Sequence, residues 1–168
     1  MNKLIVLAII ICAAFTRLVP HPPNFTPIIA MGLFGGACLK DRRMAIMLPV
    51  LAMLLSDMFL GFHSTMVWVY GSLILIALIG TLYKNKITFK SIGLGGAIGS
   101  SLFFLITNFG VWLSSSFYPK TFNGLASCYI AGLPFLSNTL ISSLLYGSIM
   151  FFGYELLKNR SFEAADTI

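Results

Sequence analysis

Short clusters of Lys and Arg interrupt an otherwise apolar chain, and this alternation constrains the fold more than any other feature. Nine of the 11 Lys and Arg residues fall at Lys3, Lys40 to Arg43, Lys84 to Lys90 and Lys158 to Arg160. These clusters occupy every second junction between apolar runs. Because basic residues concentrate in the cytoplasmic turns of membrane proteins, the sequence predicts a multi-pass membrane protein with both termini in the cytoplasm.

The composition leaves little room for any other class of fold. Of the 168 residues, 58% are hydrophobic and 10% are charged, whereas about a quarter of the residues in a soluble domain are charged. A span needs roughly 20 apolar residues, so six spans use most of the chain. We expect one all-α integral membrane domain, residues 1–168, with six transmembrane helices. The predicted spans cover about residues 4–19, 26–39, 44–60, 66–83, 92–113 and 134–157.

The second apolar run is the shortest, and its path has two interpretations. Ile28 to Leu39 could form a re-entrant segment, but the basic cluster that follows it would then lie outside. We therefore favour a spanning helix that begins near Thr26. The run also carries the pair Gly32 and Gly36, whose spacing, like that of Gly95 and Gly99, predicts close contacts between helices.

The net charge of +6 does not indicate nucleic-acid binding, because the basic residues lie in turns and are not interleaved with aromatic residues on one element. Their expected partner is anionic membrane lipid. The cysteines, Cys12, Cys38 and Cys128, have neither a disulfide framework nor a zinc spacing, and His21 and His63 lie in different loops. The sequence therefore predicts no metal site and no cofactor.

Two ionisable residues inside the predicted spans point to a functional site. Arg17 in the first span and Asp57 in the third both lie roughly 20 Å from the cytoplasmic ends of their helices. Charged groups within a bilayer cost about 3 kcal/mol or more unless they are paired or hydrated. We expect Arg17 and Asp57 to pair. The pair could orient a ligand, or it could only neutralise itself and join two helices.

Other polar and aromatic side chains gather in the same outer third of the bundle. We predict a pocket open to the outer face, in which polar groups orient a ligand and tryptophans form apolar walls. For the asparagines the alternative is hydrogen bonding between helices, and for the tryptophans it is an interfacial aromatic belt. The candidate substrate-binding residues are Arg17, Asn24, Asp57, His63, Trp68, Tyr70, Asn108, Trp112 and Asn138.

The longest connection, Ser114 to Leu133, is predicted to be an outer loop, and connections of this length often form lids or binding sites. It carries Cys128, the one cysteine placed to meet an outer ligand, although an inert buried thiol is the alternative. No catalytic constellation accompanies it, because the serine runs lack a neighbouring histidine and the chain has no Walker loop. We therefore expect that the chain is not an enzyme.

Three segments have a distinctive sequence: Arg17 to Gly36 with its Pro-His-Pro-Pro-Asn-Phe-Thr-Pro centre, Leu54-Leu55-Ser56-Asp57, and Asn108-Phe109-Gly110-Val111-Trp112. They resemble an uncharacterised family of short bacterial membrane proteins labelled putative transport proteins. In size, six-span topology and outward polar site, the chain is also similar to the S components of energy-coupling-factor (ECF) vitamin transporters. The resemblance implies an S-component-like bundle that captures a vitamin or metal and associates with a transmembrane coupling subunit and cytoplasmic ATPases.

The leading hypothesis is a substrate-binding subunit for uptake of a small vitamin-like molecule, located in the bacterial cytoplasmic membrane. In the S-component superfamily, small residues on the first helix form the docking face for the coupling subunit. Here Ala8, Cys12 and Ala13 depart from an alanine at every fourth position. Two alternatives are a membrane enzyme that acts on a lipid-linked substrate and a structural or assembly subunit of a membrane complex.

Overall fold

The computed structural model describes residues 3–83 and 88–165, with side chains as far as residue 159, and it contains no β-strand among them. The predicted all-α fold is confirmed. Single 3₁₀ turns follow the first helix at Thr16–Leu18 and the fourth at Thr81–Tyr83. The α-helices in chain order are α1 (Lys3–Phe15), α2 (Ile28–Cys38), α3 (Arg42–Leu60), α4 (Met66–Gly80), α5 (Phe89–Ser114) and α6 (Phe122–Ala165).

Local sequence signals fix several of the helix ends. The side chain of Asp41 accepts a hydrogen bond from the backbone nitrogen of Arg43 at 2.8 Å and caps the start of α3. Thr88 and Ser91 form a reciprocal capping box at the start of α5, which satisfies two backbone donors that lack helical partners. α3 ends at Leu60 and is followed by Gly61, whose φ of 93° is accessible mainly to glycine.

Within the part of the chain that the structure describes, four helices are long and apolar enough to cross a membrane: α3, α4 with its 3₁₀ turn, α5, and α6 as far as Asn159. Their surfaces are apolar where a soluble protein would be polar. On α3, Leu51, Met58 and Phe59 are exposed, whereas Ser56 and Asp57 are buried. Polar groups directed into the bundle and apolar groups directed outward are the arrangement that lipid requires. The helices indicate a multi-pass membrane protein.

The two remaining helices are shorter than the sequence predicted. α1 has 13 residues and α2 has 11, which correspond to lengths of about 20 Å and 17 Å. The hydrocarbon core of a bilayer is about 30 Å thick. Neither helix reaches across it alone, so the prediction of six full spans is not confirmed. The predicted first span also stops early, because its last residues form the 3₁₀ turn that carries Arg17.

α2 lies at the centre of the bundle, and all of its residues are buried. Glycines allow its backbone to approach the backbone of α4. A Cβ atom at Gly36 would overlap the carbonyl oxygen of Ala77, and one at Gly80 would lie 2.6 Å from the carbonyl oxygen of Leu33. Gly99 of α5 is similarly close to Ile29. The close helix contacts predicted from the glycine spacing are confirmed.

The predicted outer loop is wrong over most of its length, because α6 begins at Phe122. The prediction started the last span at Pro134, which instead lies inside the helix. A proline within a membrane helix is tolerated where neighbouring groups satisfy the backbone that it leaves unpaired. α6 packs antiparallel to α5, and Ser100 donates to the backbone oxygen of Thr139 at 3.3 Å. Only residues 115–121 connect the two helices.

The bundle has a basic end and a cavity end. At the basic end, Arg42 lies close to Thr81 and Leu82, and Phe89 at the start of α5 contacts Phe152 of α6 with ring centroids 4.5 Å apart. Two residues of the predicted basic clusters, Lys84 and Lys86, lie outside the described residues, as does the side chain of Arg160. The cavity end is formed by the connections at residues 19–27, 61–65 and 115–121, around the opening of a large cavity.

Candidate functional site

A cavity of about 430 Å³ opens at the cavity end of the bundle. This volume lies within the range of small-molecule binding sites. Every α-helix except α1 contributes to its lining. The 3₁₀ turn that follows α1 contributes Arg17. The lining residues are Arg17, His21, Asn24, Thr26, Ile28, Met53, His63, Thr65, Val69, Phe103, Thr107, Asn108, Val111, Tyr118, Cys128, Ala131, Gly132 and Phe135.

The cavity exists because the central helix starts deep in the bundle. α2 begins only at Ile28, and the chain before it contains Pro20, Pro22, Pro23 and Pro27. Proline removes a backbone donor and restricts the residue before it, so this segment cannot continue α2 outward. The volume that further turns would have filled stays open. Irregular backbone at membrane depth is tolerated where it lines such a cavity.

The predicted pairing of Arg17 with Asp57 is confirmed. Nη1 of Arg17 lies 2.8 Å from Oδ1 of Asp57 and also donates to the hydroxyl of Ser56. The hydroxyl of Tyr70 donates to the other carboxylate oxygen of Asp57 at 2.7 Å. Only 8% of Arg17 and 1% of Asp57 is exposed. The pair therefore joins the turn after α1 to α3 and α4 inside the bundle.

The two members of this pair differ in their access to the cavity. Arg17 lines it, whereas Asp57 and Tyr70 do not. Asp57 is thus a buried counter-charge behind Arg17, and Tyr70 holds the carboxylate in place. The pair neutralises itself, as one interpretation of the sequence required, and Arg17 still lines the cavity.

Three further predicted residues line the cavity: Asn24, His63 and Asn108. Asn24 lies in the proline-rich segment with a φ of 60°, a left-handed conformation that Asn adopts more readily than most residues. His63 shares a hydrogen bond of 2.8 Å with the hydroxyl of Thr65. Asn108 donates from Nδ2 to the carbonyl oxygen of Phe104, one turn back on α5, at 2.9 Å.

The two tryptophans lie outside the cavity lining. Trp68 packs on Gly110 of α5, where a Cβ atom would overlap its ring, and it donates to the hydroxyl of Ser114 at 3.1 Å. Trp112 donates to the carbonyl oxygen of Pro119 at 2.9 Å. Both rings therefore hold α4, α5 and the connection after α5 together.

Asn138 is the last predicted residue outside the lining. Its Nδ2 donates to the carbonyl oxygen of Pro23 at 2.9 Å. This bond ties the proline-rich segment to α6, close to the opening of the cavity. The position agrees with the alternative in which an asparagine bonds between elements of the bundle.

The chain belongs to DUF6580, a family of unknown function, and the match covers residues 1–165. No curated protein and no solved structure matches it. The match agrees with the resemblance to an uncharacterised family. Similarity to transport proteins and to ECF S components stays a prediction.

The apolar walls of the cavity in this DUF6580 chain come from residues that the sequence did not single out. Phe103, Val111 and Phe135 come from α5 and α6, and Met53 and Val69 come from α3 and α4. Apolar residues are so common in membrane helices that no sequence signal separates these five from their neighbours. Their selection depends on the rotation of each helix about its axis.

Several polar lining residues were also missed as ligand contacts. The hydroxyl-bearing residues Thr26, Thr65, Thr107 and Tyr118 line the cavity. Cys128, which the sequence did single out as the cysteine placed to meet an outer ligand, lines the cavity as well. It is buried and donates from Sγ to the carbonyl oxygen of Asn108 at 3.3 Å. Position in a connection at the cavity end was the available signal for Thr65 and Tyr118. Among the described residues, no group of three or more His, Cys, Asp and Glu side chains is arranged to hold a metal ion.

Proposed function

We propose that this chain is a substrate-binding membrane subunit for the uptake of a small, vitamin-like molecule. The chain captures the molecule in the cavity and depends on separate coupling and ATPase subunits for transport. The observation that carries the proposal is the cavity of about 430 Å³, lined by Arg17 together with amides, hydroxyl groups and apolar side chains. A mixed lining of this kind gives a small molecule both orientation and apolar contact.

The charge distribution supports a cavity that faces outward. Lys40, Arg42 and Arg43 lie at the basic end, and residues of this type face the cytoplasm in membrane proteins. The cavity opens at the other end of the bundle. In a bacterial cytoplasmic membrane, this orientation presents the cavity to molecules arriving from outside.

Within this proposal the predicted residues take different roles. Arg17, Asn24, His63 and Asn108 contact the ligand, because they line the cavity. Asp57 and Tyr70 hold Arg17, whereas Trp68, Trp112 and Asn138 hold the elements around the cavity in place.

The outer surface of α1 is the proposed docking surface for a coupling subunit. Ala8 and Cys12 are exposed there, whereas Ala13 is buried. Only Ala8 and Cys12, of these three small residues, are therefore available for close contact with another helix.

The test fills the cavity without touching the Arg17 pair. Ala131 lines the cavity, and its neighbour Ile130 is 66% exposed and lies outside the lining. Native mass spectrometry of gently purified protein should show a retained small molecule in the wild type and in Ile130→Phe. Ala131→Phe should lose it, because the ring occupies the volume. ATPase and coupling subunits should co-purify with all three proteins.

Other outcomes would contradict the proposal. Equal retention by Ala131→Phe and Ile130→Phe would mean that the molecule binds elsewhere. Turnover of a lipid-linked substrate by the purified chain alone would favour a membrane enzyme. Co-purification with a larger complex that lacks ATPases, without any retained small molecule, would favour a structural or assembly subunit.

A further inference from the structure

We infer that the cavity selects ligands that carry an anionic group, a carboxylate or a phosphate, and that this group binds between Arg17 and the first turn of α2. The inference names the substrate class of the proposed uptake function and rests on that function for its biological meaning. Its structural basis is a buried arginine with an unpartnered donor and a helix N-terminus that line the same cavity.

Arg17 has hydrogen-bonding capacity that the protein does not use. Its bonds to Asp57 and Ser56 both come from Nη1. Nε is buried and has no hydrogen-bond partner. A guanidinium group carries five N–H donors in a planar fork that matches the oxygens of a carboxylate or phosphate. An unpaired buried donor is costly, so a ligand oxygen that pairs with the remaining donors gains binding energy.

The start of α2 adds a second, independent source of positive potential. Thr26 and Ile28 line the cavity, and Pro27 at the N-cap provides no side-chain hydrogen bond to the helix. The first N–H groups of an α-helix have no acceptor within the helix. They also carry the positive end of the helix dipole, which favours an anion at this position.

The charge balance of the cavity favours an anion over a cation. Asp57, the counter-charge of Arg17, lies behind it and uses both carboxylate oxygens, one for Arg17 and one for Tyr70. Among the residues that the structure describes, the lining contains no Asp or Glu. A cationic ligand would therefore meet a guanidinium group and a helix N-terminus without an available carboxylate.

The other walls indicate the rest of the ligand. Phe103, Val111 and Phe135 line the side formed by α5 and α6. A molecule with an anionic group at one end and an apolar body matches both sides of the cavity. Benzoate is a simple probe of this chemistry, and benzamide is its neutral counterpart of nearly the same shape.

The experiment measures the thermal unfolding midpoint of the full chain in phosphatidylcholine nanodiscs, titrated with benzoate or benzamide. A ligand that binds the folded state stabilises it by RT ln(1 + [L]/Kd), so the midpoint rises with ligand concentration above Kd, and the dependence gives Kd. We expect the Kd of benzoate to be about tenfold or more below that of benzamide, since charge-assisted hydrogen bonds distinguish the two. The double variant Arg17→Gln/Asp57→Asn, which removes both charges, should lose this preference.

Two further variants provide a control and a second test of the anion site. Lys158→Gln removes one positive charge at the basic end, where Lys158 pairs with Glu155 at 3.2 Å, and should keep the full preference. Arg17→Lys retains the charge beside Asp57 but loses Nε and the fork, so the preference should fall about threefold or more. This variant serves if the double variant does not fold.

The inference is overturned if the wild type does not prefer benzoate over benzamide, including the case in which neither molecule changes the midpoint. It is also overturned if Arg17→Lys keeps the full preference. If the cavity retained a neutral molecule and showed no preference for anions, the uptake proposal would be supported and the anion site would be contradicted. If the chain preferred anions but had no ATPase partners, the anion site would be supported and the uptake proposal would be contradicted.

A second arm separates the two sources of such an anion, a free solute and a lipid headgroup. The titration is repeated in nanodiscs that contain phosphatidylglycerol. If the headgroup occupies the site, the anionic lipid raises the midpoint of the wild type and weakens the effect of benzoate, and both effects are smaller in Arg17→Lys. If a free solute is the ligand, the benzoate titration is unchanged. Both results support the anion site and identify its occupant.

Discussion

The two ends of α2 differ in packing although the same helix runs between them. Near its C-terminal end, Gly36 approaches the backbone of Ala77 and Gly80 so closely that no side chain fits. At its N-terminal end, beyond Ile28, a cavity of about 430 Å³ opens. The comparison shows that a small membrane bundle can be solid where glycines permit backbone contact and hollow where a central helix stops early.

The two regions also differ in what stabilises them. Around Gly36 the contacts are van der Waals contacts between backbones, which are the main source of helix association in lipid. Around the cavity, a buried ion pair and a hydrogen bond from Tyr70 join α3 to α4 and to the turn after α1, and a bond from Asn138 joins α6 to the proline-rich segment. The following predictions separate these two kinds of stabilisation.

The largest effect is expected at the ion pair. Asp57→Asn leaves the buried charge of Arg17 without its counter-charge, which should lower stability by about 3–5 kcal/mol. Arg17→Gln/Asp57→Asn should recover much of this loss, because it removes both charges. Thermal unfolding in detergent measures both variants. If the double variant were as unstable as the sum of its single variants, the pair would not be coupled.

An intermediate effect is expected in the close-packed region. Gly80→Ala places a Cβ atom against the backbone of Leu33 and should cost about 2 kcal/mol through overpacking. Gly71 lies on the same helix with open space around it, so Gly71→Ala should be neutral or stabilise by up to about 1 kcal/mol. Unfolding midpoints of the two variants provide the comparison. Equal midpoints would mean that α2 and α4 separate without cost.

The smallest effect is expected at the proline-rich segment. Asn138→Ala removes the bond to Pro23, which should cost about 1 kcal/mol and loosen residues 19–27 without affecting the contact at Gly36. Hydrogen exchange should become faster at Asn24 and Phe25. Ser137→Ala, at an exposed neighbouring position, is the control. Unchanged exchange in Asn138→Ala would show that the prolines alone fix the segment.

Sequence reasoning succeeded where a single strong energetic rule applied. An Arg and an Asp at matching depths in a membrane must find a partner, and Arg17 and Asp57 are paired as predicted. Glycines at a spacing of four mark close helix contacts, and Gly36 makes one. The apolar composition required a helical membrane domain, since backbone groups in lipid must be satisfied internally.

The sequence was less informative where tertiary context decides. An apolar run of about twelve residues is compatible with a span or with a shorter buried helix, and only the packing around α2 distinguishes them. Pro134 was predicted to start a helix but lies within one. The rotation that directs Phe103 into the cavity and leaves Trp68 against Gly110 depends on neighbouring helices that no local pattern encodes.

The late start of α2 makes the depth of the cavity independent of its walls. Thr26 and Ile28 line the cavity at the start of α2, and each additional helical residue before them would extend α2 into it by about 1.5 Å. A change in one short stretch of chain could therefore fit the site to a shorter or longer guest molecule, while Arg17 and the surrounding helices keep their positions.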